Sequence, residues 1–229
     1  MGGSWWIPRL KLYRQRQNKT VVGGVGNYLA LTGARLKAED LIYAGIATHY
    51  VNSNHLDELK RCLIAASEIY DSSKLDLGDC AASVLMSFHD DGIDSDASFL
   101  SQNRLDIDFA FDGKESVEEI FHSLEQMGPD STFGTSTLSI LKASSPTSLK
   151  VTLEGLKRGA KAHTVAEALQ MEYRIVMHMM KKGSDFYEGI RAALVDKDGN
   201  PKWCPANLND VTEEMVNGHF EELGDELKF

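Results

Sequence analysis

"MGGSWWIPRL", residues 1–10, opens the chain with two glycines, two tryptophans and a proline. Chain ends are usually polar and poorly ordered. Trp5 and Trp6 followed by Ile7-Pro8-Arg9-Leu10 read instead as the packed interior of a larger fold.

The first acidic residue is Glu39. Before it stand Arg9, Lys11, Arg14, Arg16, Lys19, Arg35 and Lys37, a local charge of +7 against a net charge of −10 for all 229 residues. An acid-poor, Arg-containing start is one form a mitochondrial transit peptide takes. A strongly acidic total disfavours nonspecific nucleic-acid binding, which needs Lys and Arg to neutralise phosphates. It gives no reason to expect an anionic membrane surface as partner either. Hydrophobic residues make up 42% and charged residues 25%, the balance of a globular protein. No apolar run reaches the roughly 18 residues that a membrane span requires. Cys62, Cys80 and Cys204 form no C-x-x-C pair and read as reduced thiols. No Cys or His cluster has zinc-ligand spacing, so no metal is expected.

Helical signals dominate. Residues 36–46 and 56–66 carry apolar positions at helical spacing, and 80–89 reads as another short helix. "ATHYV" (47–51) reads as a short strand or an extended exit. Ser116 with Glu119 and Thr164 with Glu167 form capping boxes that open helices near 117–127 and 165–180. The second, "VAEALQMEYRIVMHMM", is apolar nearly all round and is expected to be the central buried helix. Residues 131–143 form a further helix. Ser145-Pro146 starts one expected to end near Arg158, ahead of Gly159. Ser184 is expected to cap 185–194, and Thr212 to cap a final helix through Leu223. The fold class is therefore mainly α.

Candidate chemistry is sparse. "TVVGGVGNYLALTG" (20–33) has the strand–glycine–helix order of a dinucleotide-binding turn, but Leu29 stands where the third glycine belongs. A helix start with a close backbone contact competes with the nucleotide reading. "DKDGN" (196–200) and "HDDGIDSD" (89–96) alternate acids as calcium loops do, yet lack the glycine and glutamate such loops need, and read as solvated turns. His178 reads as a packed, hydrogen-bonded core histidine, and Glu188 with Arg191 as a structural ion pair. None of the seven histidines sits in a catalytic motif.

Several stretches taken together carry a resemblance: "YLALTGARLKAEDLIYAGIATHYV" (28–51), "SPTSLKVTL" (145–153), "MEYRI" (171–175), "DFYEGIRAALVDKDGNPKW" (185–203) and "VTEEMVNGHFEELGDELKF" (211–229). In this order they resemble the 3-hydroxyisobutyryl-CoA hydrolases of the enoyl-CoA hydratase/isomerase (crotonase) superfamily. "GGSWWIPRL" is similar to the family stretch just after the acyl-CoA active site. The transit-peptide reading weakens accordingly.

The resemblance implies the C-terminal helical part of a crotonase-like α/β fold, with most of the N-terminal β-β-α spiral missing. Residues 1–22 are then a remnant of the active-site-adjacent segment with an atypical insert at 11–21, and 23–229 the C-terminal helical region. The implied activity is hydrolysis of 3-hydroxyisobutyryl-CoA to 3-hydroxyisobutyrate and CoA, in mitochondrial valine catabolism and without metal or organic cofactor. Acyl-CoA is the implied partner, with a homo-oligomer built through the C-terminal helices. The family's catalytic Glu and Asp and its oxyanion-hole amides fall ahead of Met1, so no catalytic residue is carried over. Gly2 and Gly3 flank the substrate pocket. Thioester hydrolysis needs aimed amide donors for the carbonyl oxygen, and losing one costs about 10²–10³ in rate. The chain is thus expected to be inactive alone, or to act as a non-catalytic helical module associating with full-length subunits.

Overall fold

The structure, a computed structural model, describes residues 2–10, 24–69 and 77–229. The basic insert at 11–21 and the valines ahead of Gly24 lie outside the described residues. Thirteen α-helices are present among those described, with short 3₁₀ turns, a π-helical turn at Arg191–Val195 and no strand. They are α1 (Gly3–Trp6), α2 (Val25–Thr32), α3 (Ala38–Tyr43), α4 (Leu56–Ile69), α5 (Leu77–Phe88), α6 (Phe99–Gln102), α7 (Arg104–Phe111), α8 (Val117–Gln126), α9 (Thr132–Ala143), α10 (Pro146–Lys161), α11 (Val165–Met179), α12 (Asp185–Ile190) and α13 (Glu213–Gly218). "ATHYV" is the extended exit, not a strand.

The helices fall into two units, divided at 35/36 and 102/103. One unit holds the described residues of 2–10, 24–35 and 103–229. Its hub is α10, which packs against α1, α2, α8, α11 and α13. α10 buries Pro146, Leu149, Leu153 and Leu156 along one row and Val151, Gly155 and Gly159 along a second, each at helical spacing. Ser145 starts it, its hydroxyl accepting the Ser148 N–H at 3.1 Å with Pro146 at the first helical position. Tyr28 of α2 packs edge-on against Phe111 at 5.5 Å and beside Phe133 at 5.8 Å, while Ile107, Ile120 and Leu141 are fully enclosed. A second cluster joins Val151, Val211, Val216 and Phe220 to Met171, Ile175 and Met179.

The other unit holds 36–69 and 77–102 among the described residues. α4 packs against α5, and α3 against α6. Buried Asp40 ties α3 to α6: its carboxylate accepts the Lys37 N–H at 3.1 Å and the Leu100 N–H at 3.0 Å. His89 links the end of α5 to the 47–51 exit by accepting the Tyr50 N–H at 3.0 Å.

Several expectations need correction. α10 runs through Gly159 to Lys161, because that glycine serves a close approach and not a stop. α11 is not the central buried helix. Only Ala168 on it is buried, whereas Val165, Val176, Met177 and Met180 are exposed. The burial went to α10, which is covered on two sides by the helices packed around it. Ser184 precedes α12 without capping it, since its hydroxyl donates back to the Met179 carbonyl. The last helix ends at Gly218, and the tail beyond it returns onto α11 through Arg174–Glu226 at 2.9 Å and Gln170 to the Leu227 carbonyl at 2.9 Å. At both capping boxes the hydroxyl accepts the expected N–H of Glu119 or Glu167. Each glutamate, however, reaches one residue further back, to the N–H of Glu115 or His163.

Candidate functional site

The glycine pair sits at the start of α1, on the surface that α10 and α11 present. Gly2 takes φ 99°, a left-handed conformation that glycine reaches without the penalty a β-carbon brings. Glu172, on α11, turns its carboxylate onto the first turn of α1. One oxygen accepts the Ser4 N–H and the Ser4 hydroxyl, each at 2.7 Å, and the other accepts the Gly2 N–H. A carboxylate on the open amides of a helix start is favoured both by hydrogen bonding and by the helix dipole.

The far end of the segment is held by Arg9. Its guanidinium donates to the carbonyls of Trp5 at 2.7 Å, Gly159 at 2.9 Å and Ala162 at 2.9 Å, so it covers the open carbonyls at the end of α10. The same group lies 3.7 Å over the Trp5 ring, a cation–π stack. Between these clamps the backbone of Ser4 rests on Gly159. Trp5 is thereby half-buried, while Trp6 remains 44% exposed. The opening aromatics are therefore only partly covered.

Other candidates behave differently. Gly24 does not cradle a phosphate. Its N–H donates to the Asp108 carboxylate at 2.9 Å, and a β-carbon there would meet the Ile107 carbonyl at 2.5 Å. It is a close-packing glycine at a helix start, which removes the nucleotide reading. Glu188 and Arg191 pair at 2.8 Å, and Arg191 also takes Asp196 at 2.6 Å and Asp198 at 2.7 Å, tying the "DKDGN" turn to the end of α12. The Arg191 hydrogen bond, seconded by the Lys202 N–H, pulls the Glu188 carboxyl down to about 2. In "HDDGIDSD", Asp90 and Asp94 accept nearby backbone N–H groups instead of converging on a point. His178 is half-exposed and not a core residue; it meets the Glu221 carbonyl at 3.2 Å and the Lys181 amine at 2.7 Å. Among the described residues no three His, Cys, Asp or Glu side chains group as a metal site would.

Two grooves flank this unit's helices. One, of about 560 Å³, runs between α8, α10 and α13 past Lys150 and Lys157, which are already paired with Glu118 at 2.6 Å and Glu115 at 2.8 Å. The other, of about 780 Å³, is mostly apolar, with Phe186, Leu194, Trp203 and Met215 along it. The Thr147 hydroxyl on its wall is buried without a hydrogen-bond partner.

Glu172 was not singled out from the sequence. Its only signal was a carboxylate in the middle of a largely apolar helix, inside the "MEYRI" stretch.

Residues 1–220 match the enoyl-CoA hydratase/isomerase family, and the chain belongs to it. More particularly, it is similar to the mitochondrial 3-hydroxyisobutyryl-CoA hydrolases of Homo sapiens, 42% identical over 231 residues, and of Dictyostelium discoideum, 39% identical over 235. All of this chain is covered, with 54% and 55% of those relatives, so it spans about half their length. Among solved structures it resembles a carnitinyl-CoA dehydratase from Mycobacterium thermoresistibile, with TM-score 0.78 and 32% identity over all of this chain and 57% of the other. The architecture, strand-free among the described residues, and the half-length coverage agree with the helical, C-terminal part of the crotonase fold.

Proposed function

We propose that these 229 residues are the helical half of a 3-hydroxyisobutyryl-CoA hydrolase, acting in mitochondrial valine breakdown on a CoA thioester. The observation that carries this reading is the 42% identity, across the whole chain, to a relative bearing that name. In this reading Gly2 and Gly3 flank the acyl pocket, and the helices serve to hold that wall. The carboxylates that act on water and the amides that hold the thioester oxygen belong to the half that the resemblance sets ahead of Gly2. Without such donors a hydrolase loses most of its transition-state stabilisation. The chain alone is therefore inactive. A thermal-shift titration with 3-hydroxyisobutyryl-CoA, run beside a thiol-release assay, tests this reading: it requires binding without turnover. Absence of binding, or turnover above the rate in buffer, would remove it.

A second reading has its own support. Met177, Met180, Phe186 and Tyr187 are exposed, and Leu194 and Val195 are 67% and 69% so. Apolar surface of this extent marks interaction sites. The chain then acts as a non-catalytic module that associates with full-length subunits. Co-elution with intact hydrolase on size exclusion is the expected outcome, and separate elution at micromolar concentration excludes it.

A further inference from the structure

Three hydrogen bonds converge on one side chain of α11, and all three come from the segment that would face substrate. Glu172 accepts from Gly2 N–H, Ser4 N–H and the Ser4 hydroxyl. Those donors are neutral, so the carboxylate's full charge falls on the first turn of α1. Nothing else in α1 fixes that turn as tightly. The helix is only four residues long, far below the length at which a helix sustains itself. Its own backbone bonds from Trp5 and Trp6 both end on the Gly2 carbonyl, at 3.1 and 3.2 Å. The conformation of Gly2, with φ 99°, is one that glycine leaves easily in an unrestrained chain. An external carboxylate that takes the N–H groups on both sides of Gly3 converts a permissive dipeptide into a fixed wall.

We propose that Glu172 is a positioning residue for CoA-thioester recognition, acting through Gly2 and Ser4 to set the backbone of the glycine pair. The inference rests on the reading that Gly2 and Gly3 flank the acyl pocket. Glu172 touches no substrate in this account; it acts only on the wall. Arg9 holds the other end of the same segment and serves as the comparison, since its bonds end on Trp5 and α10 and not on the glycines.

The two oxygens of Glu172 have different duties, which makes the claim sharply testable. In Glu172→Gln the amide oxygen can still accept from Ser4, but its NH₂ then faces the Gly2 N–H, donor against donor. The substitution is nearly isosteric and leaves the fold intact. The experiment uses the full chain, ¹⁵N-labelled, titrated with a non-hydrolysable thioether analogue of 3-hydroxyisobutyryl-CoA. Without ligand, the Gly2 amide resonance of E172Q should move strongly and that of Ser4 little, a signature that generalised loosening would not produce. With ligand, affinity should fall about tenfold in E172Q, as the loss of one charge-assisted hydrogen bond predicts, and further in Glu172→Ala. Arg9→Met, matched to E172Q in melting temperature, should bind more tightly than E172Q does. If the wild-type chain binds and both Glu172 variants bind equally well, the positioning role is overturned while the acyl-CoA reading stands. If E172Q and Arg9→Met weaken binding alike, Glu172 is merely structural. If wild-type protein does not bind the analogue, the underlying reading fails, and this inference with it.

Discussion

Gly159 of α10 lies so close to Ser4 that a β-carbon built on it would sit 2.0 Å from the Ser4 carbonyl oxygen. Real atoms do not approach to that distance, and the obstruction is backbone, which cannot swing away. The contact explains why glycine occurs inside a helix there, where it ordinarily costs about 0.5–1 kcal/mol relative to alanine. It also explains how the opening segment comes to lie flat on α10.

Gly159→Ala should therefore destabilise the chain by about 1–3 kcal/mol, the range for overpacking a filled site, despite alanine's better helix propensity. Urea unfolding followed by tryptophan fluorescence measures this, and Trp5 and Trp6 report on the very segment displaced. A neutral or stabilising result would mean that α1 does not rest on α10.

Gly24 makes a parallel case. A β-carbon there would meet the Ile107 carbonyl at 2.5 Å and the Asp112 nitrogen at 2.9 Å. Gly24→Ala should cost about 1–3 kcal/mol by the same mechanism. Gly128→Ala should cost only about 1 kcal/mol, from the left-handed backbone alone, because φ is 79° and nothing lies within 4 Å. Equal melting temperatures for the two variants would contradict this ordering.

Arg9 joins the two ends of the packed segment by hydrogen bonds and a stack. Arg9→Met retains part of the aliphatic stem and loses every donor. Stability should fall by about 2 kcal/mol, in line with the hydrogen bonds of a partly buried charged group. The Trp5 emission should also shift, since the guanidinium no longer lies over its ring at 3.7 Å. Unchanged emission together with unchanged stability would remove the clamp from the account.

The acid response of the α12 turn has a definite sign. Glu188 is held from its usual 4.5 down to about 2, first by Arg191 and then by the Lys202 N–H. A carboxyl whose folded value is depressed contributes its stability in full above the unfolded value. That contribution is lost as pH falls from 4.5 toward about 2. In Arg191→Met, carbon-detected NMR of the Glu188 carboxyl should give a midpoint raised toward 4.5. A midpoint left near 2 would show that Arg191 is not the cause.

Much of this fold was legible because caps are local chemistry. Ser116, Ser145, Thr164 and Thr212 each sit at the helix start that their hydroxyl marks, and each accepts the expected N–H. What sequence could not convey was partnership at a distance. Gly159 looks like a stop signal until Ser4, more than 150 positions away, is seen to occupy the space a side chain would fill. The 165–180 stretch looks buried because it is apolar all round, yet its exposure depends on which faces neighbours cover. Ser184 has a capping residue's chemistry, but the Met179 carbonyl captures its hydroxyl. Glu172 was illegible for the same reason: a mid-helix carboxylate announces nothing until the amides it serves are brought to it. The family resemblance was legible from the order of several motifs.

The central claim is that this helical half holds the wall of a thioester site while the chemistry resides elsewhere. Continuous thiol detection of CoA release from 3-hydroxyisobutyryl-CoA by the purified 229-residue chain tests it most directly. The release rate should equal that of buffer alone at every protein concentration. A rate rising in proportion to protein, and saturating with substrate, would contradict it.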